Sequence, residues 1–177
     1  MERDPPDANI TSMSVVVRPG SVADSVALAD IYNHYVVHTA ITFDTVPVTP
    51  GGRAEWLTHY AEEGPNRLLV AVVDGVMAGY ATSSPFRSRP AYATSIETSV
   101  YCRPGFTGRG IGARLYATLF EALRGEDVHR AYAGITIPNA ASEVLHRRFD
   151  FSDIGVYHEV GRKFGRYWDV LWLEKRL

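Results

Sequence analysis

A single cysteine, Cys102, stands in a chain of 177 residues, so no disulfide can form within it. A lone thiol fits a reducing compartment, and the expected location is the cytoplasm. Long apolar runs are also missing: none approaches the roughly 20 residues that a membrane-spanning helix requires. The first residues, Met1 to Ala8, are acidic and proline-rich rather than basic and then apolar, which argues against a secretory leader. Charge of one sign is scarce as well. The formal net charge is −2 and no run of five basic residues occurs, so a surface that tracks nucleic-acid phosphates is not expected.

What is present is ordinary globular composition, with 46% hydrophobic and 21% charged residues. The length suits one domain, read as residues 13–177, behind a disordered lead-in at 1–12; Met13 stands as an alternative start. Residues 14–18 read as a strand, and Ser21 with Asp24 opens a helix in capping-box fashion that runs to about His38. Residues 39–48 lack helical periodicity. Thr49 and Pro50 then cap and start a second helix ending near Gly64. Asp74-Gly75 between apolar runs at 68–73 and 76–82 predicts a tight β-hairpin.

A long strand is expected over 91–103, followed by a glycine-rich loop and a helix carrying Leu115, Leu119 and Leu123 at four-residue spacing. A strand at 131–137, a helix over 139–149 and final strands around Val156 and over 167–173 complete the order β-α-α-β-β-β-α-β-α-β-β. Strands and helices mix without strict alternation. The expected class is α/β (α+β), with one mixed, mostly antiparallel sheet and helices on both faces.

The loop Gly105-Phe-Thr-Gly108-Arg109-Gly110-Ile111-Gly112-Ala113 joins that strand to that helix. Its glycines let backbone amides approach a ligand, and the amides of the following helix N-terminus suit phosphate or pyrophosphate, with Arg109 adding a cation; a flexible turn is the plainer alternative. A Walker A loop fails, because Ile111 and Gly112 stand where Lys and Ser or Thr are needed. Gly108, Gly110 and Ala113 match a dinucleotide fingerprint, but the acids Glu126 and Asp127 precede the next strand instead of ending it.

Glu97 is a lone carboxylate within a strand, flanked by neutral Ser95, Thr98 and Ser99: a solvent-facing charge or a general base. Arg87 and Arg89, near Tyr92, offer guanidinium groups for a carboxylate or phosphinate. His34 and His38 share a helical spacing, yet no third ligand stands nearby and no metal is expected. Cys102 has no local base to make it a nucleophile.

The stretch from Glu97 to Tyr116 resembles the acetyl-CoA motif of the GNAT superfamily, whose pattern Gln/Arg-x-x-Gly-x-Gly/Ala falls on Thr107 to Gly112. Further matches resemble the phosphinothricin N-acetyltransferase branch: Asn33-His34-Tyr35, Phe43, Thr49-Pro50, Arg89 with Tyr92, Glu97, Pro138-Asn139 and Leu145-His146. Together they span nearly all of residues 15–173. Thr107 departs from the pattern's Gln or Arg, and Asp150 replaces a glycine expected after the last helix, at a place where Asp enters the left-handed region readily.

The resemblance implies a GNAT fold and an acetyl-CoA-dependent N-acetyltransferase acting on a small-molecule amine, such as phosphinothricin, methionine sulfone or methionine sulfoximine. It implies that amides from Gly108, Arg109, Gly110, Ile111, Gly112 and Ala113 hold the pyrophosphate. It also implies that the backbone of Val100, Tyr101 and Cys102 pairs with the pantetheine arm and that Asn139 touches the cofactor. Glu97 and His146 become the catalytic residues, His146 as acid, base or orienting group. Phe43, Arg89 and Tyr92 become the acceptor site, although Phe43 also reads as ordinary core packing. A homodimer is implied. The alternatives are an acceptor of another kind, namely a protein N-terminus, a polyamine or an aminoglycoside, or a CoA-binding module without turnover.

Overall fold

Asp74 and Gly75 both take positive φ, 49° and 78°, and so turn strand β2 (Arg67–Val73) tightly back along β3 (Val76–Pro85). The computed structural model describes residues 14–177; the expected lead-in and the alternative start at Met13 lie outside them. The remaining strands are β1 (Val15–Pro19), β4 (Ser95–Cys102), β5 (Arg130–Ile137), β6 (Ser152–Lys163) and β7 (Arg166–Arg176). They form a seven-stranded sheet in the order β1-β2-β3-β4-β5-β7-β6. Only β4 and β5 run parallel.

The helices are α1 (Ser25–His38), α2 (Pro50–Leu57), α3 (Ile111–Ala122) and α4 (Ala140–Arg148). Both faces of the central strands are buried, which explains the unbroken apolar run of β2. Its Leu68 and Val70 pack with Leu28 and Ile31 of α1 and Leu57 of α2. Leu69, Ala71 and Val73 turn the other way, onto Leu115 and Leu119 of α3. The expected mixed, mostly antiparallel sheet with helices on both faces is the observed architecture.

Two boundaries differ from expectation by four residues or more. Helix α2 ends at Leu57 rather than near Gly64, because the Thr58 hydroxyl donates to the Glu55 carbonyl at 2.7 Å and tight turns follow at His59 and Tyr60. Strand β4 begins at Ser95 rather than at Ala91. Pro90 lacks an N–H for a ladder and opens a 3-10 turn, Pro90–Tyr92, closed by the Tyr92 amide on the Arg89 carbonyl at 2.9 Å.

Residues 39–48 are irregular but tied down. Asn33 of α1 both donates to the Val48 carbonyl and accepts from its amide, each at 2.8 Å. The Tyr32 hydroxyl lies 2.7 Å from Thr42 Oγ1 and 2.8 Å from Asp44 Oδ2. The buried Lys163 amine reaches from β6 to the Thr42 carbonyl at 2.7 Å. Asp150, after α4, has φ 62°, the left-handed conformation expected of it in place of glycine.

Candidate active site

Strands β4 and β5 pair only from Ser95 to Glu97, opposite Arg130 to Tyr132. Beyond Glu97 they part, while β4 keeps its ladder with β3 as far as Cys102. The backbone from Thr98 to Cys102 therefore has a ladder on one side only. Side chains alternate across this strand, so its two faces line different spaces.

On one face, Glu97, Ser99 and Tyr101 sit opposite Ser84, Thr82 and Tyr80 of β3. These three cross-strand pairs line a cavity of about 230 Å³, with Tyr32, Arg53, Trp56 and Tyr60 from α1, α2 and the turn beyond. The Tyr60 hydroxyl lies 3.0 Å from Ser84 Oγ. Burial raises the Glu97 carboxyl above its ordinary range, and the charge of Arg87 opposes part of that rise. Burial also pushes the Tyr32 hydroxyl up to about 12, so it remains a neutral donor at ordinary pH.

On the opposite face, Val100 and Cys102 border a groove of about 490 Å³ whose far wall includes Gly108, Gly112, Ala113 and Leu145. Gly108 and Gly110 hold φ of 75° and 77°, and Gly110 begins α3 with no side-chain cap. With no side-chain cap, the first turn of α3 offers amides to an anion, as a pyrophosphate site requires, although that of Gly112 also reaches the Cys102 sulfur. The Arg109 guanidinium lies 5.5 Å from the Phe106 ring centre. Burial raises the Cys102 thiol above its ordinary range, which disfavours the thiolate and hence a nucleophilic role.

A third, smaller space of about 50 Å³ lies between the two. It shares Ser99 and Tyr101 with the cavity, and Val100, Asn139 and Ser142 with the groove. His146 borders it and is only 3% exposed. Its Nδ1 lies 2.7 Å from the Ser142 carbonyl, which can only accept, so Nδ1 carries a proton. Its Nε2 lies 2.9 Å from the Tyr116 hydroxyl. Burial lowers the imidazole below its ordinary range and keeps the ring neutral. Asn139 caps α4, its Oδ1 accepting from the Ser142 amide at 3.2 Å.

The expected cofactor residues Val100, Cys102, Gly108, Gly110, Ile111, Gly112, Ala113 and Asn139 meet in the groove, whereas the Tyr101 side chain turns to the other face. Glu97 faces the cavity, on the amine side. Arg89 and Tyr92 are exposed in the segment joining β3 to β4. Phe43 packs on Gly161 of β6, where an added methyl would come within 2.2 Å of its ring. Arg53, Tyr32, Trp56 and Tyr60 were not anticipated. Arg53, Trp56 and Leu57 do fall at the i, i+3, i+4 spacing of one helix face, a signal that the two glycines of this short helix obscured.

Among the described residues, no group of three or more His, Cys, Asp and Glu could hold a metal, and no helix is long and apolar enough to cross a membrane. The profile of the Acetyltransferase (GNAT) family matches residues 28–151. A phosphinothricin N-acetyltransferase of Streptomyces coelicolor is 60% identical over 92% of this chain and 96% of its own. An L-methionine sulfoximine/L-methionine sulfone acetyltransferase of Pseudomonas aeruginosa is 34% identical over 93% and 96%. Among solved structures, a Salmonella typhimurium acetyltransferase with its cofactor acetyl-CoA superposes with TM-score 0.87 at 33% identity, covering 92% of this chain and 94% of the other. A glycine-loop groove and a carboxylate-bearing cavity, on opposite faces of β4 where it parts from β5, thus accompany sequence identity along nearly the whole chain: the protein belongs to the GNAT family of acetyltransferases.

Proposed function

We propose that the protein transfers the acetyl group of acetyl-CoA to the amino group of a small amino acid analogue such as phosphinothricin, methionine sulfone or methionine sulfoximine. The observation that carries this reading is the placement of Glu97 in a cavity on one face of β4, with the glycine-loop groove on the opposite face of the same strand. A cavity of about 230 Å³ suits a small acceptor rather than a folded polypeptide.

The groove fits the donor. Amides from Gly108 to Ala113 would hold its pyrophosphate, the unladdered backbone of Val100 to Cys102 would pair with its pantetheine arm, and Asn139 would lie beside that arm. Acetyl-CoA supplies a thioester carbonyl open to attack by an amine, with the thiolate leaving. An ammonium has no lone pair, so the acceptor must first lose a proton. Glu97 would take that proton directly or through one water, and its raised affinity for protons matches the task. Of the roles left open for His146, orientation is the one its hydrogen bonds support: both ring nitrogens are engaged and the ring is neutral. Arg89 and Tyr92, on the segment leading into β4, would meet the acceptor at the cavity rim, and Phe43 belongs to the segment tied to the cavity tyrosine Tyr32.

The exposed side chains Ile154, Tyr157, Val160, Phe164 and Tyr167 cluster on the β6–β7 hairpin at the sheet edge. Such a patch supports a homodimer formed through that hairpin. A lone cysteine supports a cytoplasmic setting.

The deciding experiment follows free-thiol release from acetyl-CoA across amino acid analogues, polyamines, aminoglycosides and peptides. Acceptor-dependent release with anionic amino acids is the expected result. Release confined to the other classes would replace the acceptor, and none beside measurable acetyl-CoA binding would make the protein a binding module.

A further inference from the structure

Among the described residues, Arg53 alone has fully buried side-chain nitrogens without a hydrogen-bond partner. It projects from α2, is 6% exposed and borders the cavity that also holds Glu97. Its Cζ lies 4.1 Å from the centre of the Tyr32 ring and 4.2 Å from that of Trp56. Those ring faces give the charge a soft counterpart but supply no oxygen to an N–H donor. Nε and Nη2 have no hydrogen-bond partner among the described residues. None of the ion pairs among the described residues includes Arg53. Its charge is felt at four tyrosines, Tyr32, Tyr60, Tyr80 and Tyr101, all of which line the same cavity.

A buried, unpaired guanidinium is costly unless a ligand completes it. A guanidinium in a cavity wall can meet the oxygens of a planar anion. With Glu97 in the same cavity, the site carries one negative and one positive group and so complements a zwitterion. A polyamine, cationic throughout, would meet the guanidinium with repulsion.

We infer that Arg53 is the oxyanion receptor of the acceptor cavity, its guanidinium pairing with a carboxylate or phosphinate of the acceptor while the acceptor's amine faces Glu97. This rests on the amino acid analogue reading above and adds the residue that selects for acidity.

The test measures kcat/KM with acetyl-CoA for methionine sulfone, phosphinothricin and the α-carboxamide of each, in wild-type enzyme, Arg53→Gln and Arg53→Lys. Circular dichroism melts check that each variant folds, and Arg53→Lys keeps a cation between the rings should Arg53→Gln fail. In Arg53→Gln the preference for acid over amide should fall about 10- to 100-fold, through acceptor KM and with acetyl-CoA KM unmoved. Arg53→Lys should show a smaller fall, having charge without the fork. Loss of acid preference with both acceptors places the α-carboxylate on Arg53. A loss of phosphinothricin turnover that leaves the acid preference for methionine sulfone intact places the phosphinate there. Equal losses for acid and amide would make Arg53 a packing residue and overturn the inference. Wild-type enzyme that acetylates the acids no better than the amides would overturn the acceptor reading, and this inference with it.

Discussion

His146 Nε2 and the Tyr116 hydroxyl share a 2.9 Å hydrogen bond between two side chains that the fold removes almost entirely from water. Tyr116, on α3, is 0% exposed, and Thr98 Oγ1 lies 3.4 Å from the same hydroxyl. The pair therefore ties α4 to α3 and β4 across the seam where the groove narrows. Because burial lowers the imidazole below its ordinary 6.5, the unfolded chain binds the proton more readily than the folded one. Its contribution to stability is present above 6.5 and is lost as pH falls from that value through the lower folded value. Thermal melts of wild-type protein should thus decline through mildly acidic pH, and His146→Gln should flatten that decline while lowering Tm at neutral pH by roughly 2–10 °C. An unchanged decline in the variant would assign the acid sensitivity elsewhere, with Asp24 the first alternative, since Arg18 holds its carboxyl below the usual range.

Glu97 is raised by burial and partly restrained by Arg87, so its ionised, proton-accepting form dominates only above an elevated value. Wild-type kcat/KM should fall as pH drops through that value. In Glu97→Gln the reaction depends on amine that is already neutral, and the rate should climb about tenfold per pH unit toward the amine's own pKa. The variant should bind acetyl-CoA as wild type does and lose most at low pH. Superimposable pH profiles would remove Glu97 as the base.

The fold was readable because its signals are local. Asp74-Gly75 specifies its turn through backbone dihedrals alone, and Leu115, Leu119 and Leu123 mark one face of α3 without reference to any other element. The groove was equally readable, since Gly108 to Ala113 occupy one contiguous loop and helix start. The cavity was not. Tyr32, Arg53, Tyr80 and Tyr101 come from two helices and two strands, and only the tertiary fold brings them together. Phe43 shows the same limit: its partner Gly161 lies far along the chain, so no pattern around Phe43 distinguishes a substrate wall from a packing contact.

Gly79 of β3 stands beside the end of β4 that borders the groove. In β3 it pairs with Cys102, and a methyl group there would stand 2.7 Å from the Tyr101 carbonyl oxygen and 3.1 Å from Cys102 Cα. Both obstacles are backbone, which cannot rotate aside. Gly79→Ala should separate β3 from β4 beside the site and cost about 1–3 kcal/mol, seen as a Tm lower by roughly 2–12 °C. Acetyl-CoA affinity should fall with it, because the displaced backbone is that of Tyr101 and Cys102. A variant with wild-type Tm would show that the two strands yield more easily than their ladder implies.

Arg89 tests whether the exposed segment before β4 reaches the acceptor. Arg89 is exposed, whereas Arg53 is buried, so an ion pair made by Arg89 with an anionic acceptor is screened by water and salt. Contributions of this kind amount to about 0.2–1 kcal/mol, so Arg89→Ala should raise acceptor KM by no more than about fivefold. The effect should shrink further at high salt, where the acidic-acceptor preference set by a buried group would persist. Steady-state KM values for methionine sulfone at low and high ionic strength decide the point: a large, salt-insensitive loss in Arg89→Ala would move the principal anion contact from the cavity interior to the segment before β4, and an effect confined to acetyl-CoA KM would take Arg89 out of the acceptor site.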